Sequence, residues 1–250
     1  MNRKINQTNK LKPIKLIPSV LLFLIPGIAF YVNISILVPF IADITNWNSY
    51  IIWMFTGTFF LFGLLFALTF ILLKIDGYTL DWQTIKKRLR LRKLTLKDLM
   101  WIIGGMLVCA IISGFIIWIY SLFAASFKID DLRQMSPIKI VPLSGNQCFL
   151  LLFMPVFFFF NYVGEELLWR GYILPRQEIT TYGTYAWIVN MLLHWVFHLA
   201  FSLEAMLFFL PFMLLMPYLV YKRKNTYISI IIHFLLGAPI QLFVALGIFR

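Results

Sequence analysis

The sequence predicts an all-α, polytopic membrane protein of about seven to eight transmembrane helices in one domain, and three observations predict it. Of 250 residues, 61% are hydrophobic and only 13% charged, where a soluble domain has about a quarter charged. Several uninterrupted apolar runs are long enough to cross a hydrocarbon core. The basic residues, which set a net charge of +12, gather between those runs. That is the positive-inside pattern of membrane proteins, and it argues against a nucleic-acid surface, which needs a basic stripe on one face.

Taken in order, residues 1–15 carry Arg3, Lys4, Lys10, Lys12 and Lys15 and no acid, so they are expected to stay in the cytoplasm. The apolar run over 16–42 is too long for the core of a cleavable signal, and no A-x-A site follows. It reads as a retained first span, bent or bounded by Pro18, Pro26 and Pro39. A short outer turn over 43–49 leads to a second span over 50–73. The segment 74–98 is the most polar, with eight basic residues against Asp76, Asp81 and Asp98. It reads either as an interfacial helix gripping anionic lipid heads or as a topology-setting loop, and the bilayer is a partner on both readings.

A third span over 99–125 contains Gly104, Gly105 and Gly114, which permit close helix approach. A mixed-charge outer loop over 127–147 precedes a fourth span that starts near Cys148 and heads inward. Spans over 184–201, 204–221 and 227–249 complete a count of seven, with Lys222-Arg223-Lys224 marking the cytoplasm again. A break hidden in a long run would make eight. Cys109 and Cys148 lie in apolar runs without metal spacing and read as buried free thiols. The N-terminal part, 1–147, therefore comprises spans and a basic loop over 74–98, and the polar chemistry falls in 148–240. No internal repeat, phosphate loop or matched pair of broken helices points to a carrier.

The chemistry-bearing residues stand out against this background. Glu165, Glu166 and Arg170 lie in the stretch 161–176, which directly follows a run of four phenylalanines, and each charge in a bilayer costs about 2.5–3.5 kcal/mol on insertion scales. Glu166 and Arg170 have the spacing and order of an intrahelical ion pair. Glu165 is turned away from Glu166 and left without an ionic partner in the helix, which makes it the candidate for chemistry. The three histidines of the chain, His194, His198 and His233, also fall in apolar runs. His194 and His198 share a helix face, but Trp195 stands where a zinc-protease motif places glutamate, so the strict motif is absent.

Gly164-Glu-Glu-Leu-Leu-Trp-Arg-Gly-Tyr-Ile-Leu-Pro-Arg176 resembles the first motif of the CPBP intramembrane proteases, the type II CAAX protease and bacteriocin-processing (Abi) family. Trp195-Val-Phe-His198 occupies the place of that family's second motif, with His194 where phenylalanine is usual. His233 fits the third motif, but Gly237 stands where the family has Asn, Asp or a similar group. The resemblance covers about 148–240. It implies a fold of about eight helices around a conical catalytic cavity facing the cytoplasm.

The resemblance also implies roles. Glu165 would hold and deprotonate a water, His198 would orient it, and His233 would donate to the oxyanion of the tetrahedral intermediate. Glu166 and Arg170 would position the first motif, with His194 or Asn190 as auxiliary groups compensating for Gly237. No cofactor is required on the favoured reading; on a metal-dependent account, zinc would be held by Glu165, His198 and His233. The expected partner is a peptide or membrane-protein substrate, lipidated in a CAAX-type role, with no nucleic acid. The expected location is a bacterial plasma membrane, with the N-terminus cytoplasmic. The alternative is a non-catalytic bacteriocin-immunity protein or membrane scaffold related to the proteases.

Overall fold

The computed structural model describes residues 11–127 and 141–248. Most of the basic stretch 1–15, most of the outer loop 127–147 and the terminal Arg250 lie outside them. Among the described residues the chain is helical and has no strand. Six helices are long and apolar enough to cross a membrane. They are α1 (Leu16–Thr45), α2 (Ser49–Ile75), α4 (Leu96–Phe127), α5 (Gly145–Gln177), α7 (Leu203–Arg223) and α8 (Tyr227–Ala245). Two shorter helices complete the set, α3 (Trp82–Arg88) and α6 (Ala186–Phe197).

The fifth expected span, over 184–201, is corrected by α6. Its 12 residues rise about 18 Å, well short of a hydrocarbon core of about 30 Å. The helix stops in a turn at His198, where the backbone N–H bonds Trp195 O and the carbonyl accepts from Phe201. The apolar run continues through that turn, so composition alone reads it as a full span. Ser202 then caps α7, its hydroxyl accepting from the Ala205 N–H at 3.2 Å.

Among the described residues, Arg90, Arg176 and Lys224 come together at one face of the bundle. There the segment between α2 and α4 is stitched to the ends of the other helices. Arg90 makes a two-pronged bond to Glu178, which also accepts from Lys224. Arg176 and Tyr172 on α5 donate to Asp76, and Thr226 donates to Leu89 O. Tyr182 donates to Ile14 O, so the entry to α1 lies at this same face. α3 begins at Asp81, whose carboxylate accepts from the Thr84 N–H at 2.9 Å. At the other face Tyr50 donates to Gln241 O, and Leu143 donates to Ala245 O.

The core lies between α1, α2, α5 and α6. Phe30, Trp53, Phe62, Phe157, Trp169 and Phe197 are buried there, and Phe23 stacks on Trp169 with centroids 4.3 Å apart. α4 packs mainly on α7, tied by Ser113 to Phe208 O and by Asp98 to Arg223; most of its surface faces outward as lipid-facing helices do. Both cysteines are free as expected, but only Cys109 is buried; Cys148 is exposed at the start of α5.

Candidate active site

α5 carries the acidic pair at a point where its helical winding changes. Two π-helical turns, Phe159–Gly164 and Leu167–Ile173, flank Glu165 and Glu166; such turns occur frequently at functional sites. Gly164 lets this stretch lie against α2, because a Cβ there would stand 2.9 Å from Phe62 O. The carboxylates are thereby driven into the core, with Glu165, Glu166 and Arg170 all at most 1% exposed.

The ion pair expected from the spacing is present, with Arg170 Nη1 donating to Glu166 Oε1 at 2.9 Å. Glu165 has more company than its place on the helix implies. Its Oε2 accepts from Trp169 Nε1 at 3.3 Å and meets His194 Nε2 at 3.2 Å. Oε1 has no hydrogen-bond partner among the described residues.

His194 is buried between Glu165 and Arg170. Its Nδ1 lies 2.9 Å from Arg170 Nη2, and a guanidinium only donates. Nδ1 is therefore the acceptor, Nε2 carries the proton, and the ring donates to Glu165. His198 has the opposite arrangement. Its Nδ1 lies 3.1 Å from His194 O, and a carbonyl only accepts, so Nδ1 carries the proton and Nε2 of the neutral ring presents its lone pair.

Glu165, His194 and His198 bring one polar atom each within 4.8 Å of one another. This trio differs from the one named from the sequence. His194, considered there as an auxiliary, stands at its centre, while His233 addresses the other carboxylate, with Nδ1 3.0 Å from Glu166 Oε1. With Nδ1–H committed to Glu166, a neutral His233 can only accept at Nε2; it donates there as an imidazolium. Asn190 is occupied as well, its amide donating to Trp169 O and to Gln177 Oε1, both at 3.0 Å. It fastens α6 to α5 and has no N–H left for a substrate.

The trio fits a zinc ion poorly. A metal-ligating histidine gives its lone pair to the metal and donates its other N–H to a carboxylate or carbonyl. His198 satisfies that pattern through His194 O. His194 reverses it, because a lone pair on Nε2 would turn Nδ1–H against the Arg170 guanidinium. Of this trio only Glu165 and His198 remain as ligands, fewer than the three protein ligands of a catalytic zinc, and His233, the third ligand expected from the sequence, is not in the group whose ligand atoms approach within 4.8 Å.

Two side chains without an assigned role in the sequence emerge here. Trp169 supplies an N–H to Glu165. Tyr162, 2% exposed, packs its ring on His233 with centroids 4.9 Å apart. Their signal was available as polar atoms at one helical turn from Glu165 and Glu166.

Residues 147–238 match the family model described as Rce1-like, type II CAAX prenyl endopeptidase Rce1-like. The match contains every polar residue of this site and agrees with the resemblance carried by the Glu-Glu-x-x-x-Arg stretch. No curated protein and no solved structure matches the chain.

Proposed function

We propose that the protein is an intramembrane endopeptidase that hydrolyses a peptide bond near the cytoplasmic face, with water activated by Glu165 and His198. The observation that carries this reading is the convergence of the buried Glu165 with His194 and His198 inside the Rce1-like segment. A water with hydrogen bonds of about 2.8 Å can bridge two acceptors up to about 5 Å apart, and Glu165 and His198 bring a ligand atom each within 4.8 Å; we assign that water to the free Oε1 of Glu165 and the lone pair of His198 Nε2. Such a water donates one hydrogen to each and directs its own lone pair at the scissile carbonyl.

In the first step the water oxygen bonds the carbonyl carbon, its proton passes to Glu165, and the carbonyl π electrons move onto the oxygen. In the second the C–N bond breaks and Glu165 returns the proton to the leaving nitrogen. His194 and Trp169 hold Glu165 Oε2 so that Oε1 faces the water, while Arg170 keeps His194 in the donating tautomer. Glu166, paired with Arg170, anchors His233. No step needs a metal, and the proton arrangement around His194 favours metal-free chemistry.

The substrate is a peptide or membrane-protein segment, of CAAX or bacteriocin-precursor type. The basic face would be cytoplasmic by the positive-inside rule, as would the N-terminus, with the protein multi-pass in a bacterial plasma membrane. Turnover of a fluorogenic C-terminal peptide library, with and without a lipid group, tests this reading against a Glu165→Ala control. Turnover that Glu165→Ala abolishes is expected. Equal signals from both folded proteins across the library would leave the non-catalytic scaffold or immunity reading in its place.

A further inference from the structure

Gly237 has no side chain to offer, yet the space beside it is filled. A Cβ at Gly237 would stand 2.6 Å from Tyr162 Oη and 2.7 Å from Tyr162 Cε1. The phenol of α5 therefore occupies the volume that a side chain at position 237 of α8 would take. Positions 233 and 237 share one face of α8, a single turn apart, and the same Tyr162 ring packs on His233, whose Nδ1 meets Glu166.

The Tyr162 hydroxyl is buried and makes no hydrogen bond among the described residues. Leaving a buried hydroxyl unpaired is costly, and phenylalanine would fill the same space without that penalty. Its surroundings are otherwise of that kind, with Phe158 at 5.5 Å and Phe234 at 5.8 Å between ring centroids. A donor held ready and unspent is what stabilisation of a developing negative charge requires. His233 meets that need only as an imidazolium, since its Nδ1–H is directed at Glu166. A phenol donates whatever the state of the neighbouring ring.

We infer that Tyr162 is a catalytic residue, its hydroxyl donating a hydrogen bond to the oxyanion of the tetrahedral intermediate in place of a side chain at Gly237. This rests on the peptidase reading above. The hydroxyl stays protonated throughout; it stabilises the charge on oxygen while the carbonyl is opened and is released as the C–N bond breaks.

Tyr162→Phe removes one oxygen and keeps the packing. It should lower kcat by about 100-fold or more, as loss of an oxyanion donor does, with KM little changed. A peptidyl aldehyde, whose hydrate mimics the tetrahedral adduct, should lose affinity by the same factor as kcat/KM. A second pair of variants moves the donor between helices: Tyr162→Ala should be impaired, and adding Gly237→Asn to it should recover about tenfold or more of the loss. If Glu165→Ala is inactive while Tyr162→Phe keeps the wild-type kcat, the role of Tyr162 is overturned and the peptidase reading stands. If the wild type turns over nothing that Glu165→Ala does not, both are overturned together.

Discussion

Nδ1 of His194 accepts a hydrogen bond from Nη2 of Arg170 at 2.9 Å, and this one contact decides how the rest of the site can act. It places the ring proton on Nε2, toward Glu165 Oε2 at 3.2 Å. One guanidinium thus serves both carboxylates, binding Glu166 directly and Glu165 through the imidazole. The arrangement makes Glu165 a held carboxylate with one free oxygen.

Metal removal follows from that tautomer. Incubation with a strong chelator should leave peptide turnover unchanged, and added zinc should not raise it. Loss of turnover that zinc alone restores would mean that His194 Nε2 gives up its proton to ligate, against the Arg170 contact.

Arg170 is the charge on which the buried set depends. Arg170→Met should destabilise the fold by about 3–5 kcal/mol, because Glu166 is left buried without its counter-ion. Unfolding followed by circular dichroism in detergent measures this. Arg170→Lys keeps the charge but not the fork that reaches Glu166 and His194 together. It should recover much of the stability and little of the turnover.

Gly164 sets the depth of the acidic pair. A Cβ at that position would meet a backbone oxygen of α2, Phe62 O, at 2.9 Å, and backbone cannot step aside as a flexible side chain can. Gly164→Ala should therefore cost about 1–3 kcal/mol by overpacking and displace Glu165 from its histidines. A variant with wild-type stability and activity would show that α2 and α5 separate freely.

The start of α3 should respond to acid. The hydroxyl of Thr79 beside Asp81, with the backbone and hydroxyl donors of Thr84, holds the Asp81 carboxyl below the usual aspartate range. A carboxyl lowered on folding contributes stability that is fully present above its unfolded value near 3.9 and is lost as pH falls through the folded one. Fluorescence of Trp82, the first residue of α3, should report local fraying below about pH 4. Asp81→Asn, which cannot titrate, should remove that pH dependence.

Much of this molecule is legible in the order of its residues, and the misreadings have a common cause. The runs that become α1, α2, α4, α5, α7 and α8 declare themselves because a membrane span is defined by length and hydropathy, both local properties. α6 reads as a full span because a half-length helix and the turn after it can be as apolar as one; the turn at His198 that ends it shows only in the fold, where α6 packs against α1 and α7. The Glu166–Arg170 pair was readable because both residues lie four apart on one helix. His194 and Tyr162 were not, since their partners are 24 and 75 residues away in the chain, at Arg170 and Gly237.

The sequence by itself determined the membrane class, the basic face, the Rce1-like segment and which residues carry charge within it. Tertiary structure alone decided which carboxylate meets which histidine, where each imidazole keeps its proton, and which hydroxyl fills the space at Gly237. Spacing along a helix sets only the angle at which a side chain leaves that helix. Contacts between helices depend on their relative depth and rotation, and these are settled by packing across the whole bundle, down to the single hydrogen that Gly164 has in place of a side chain.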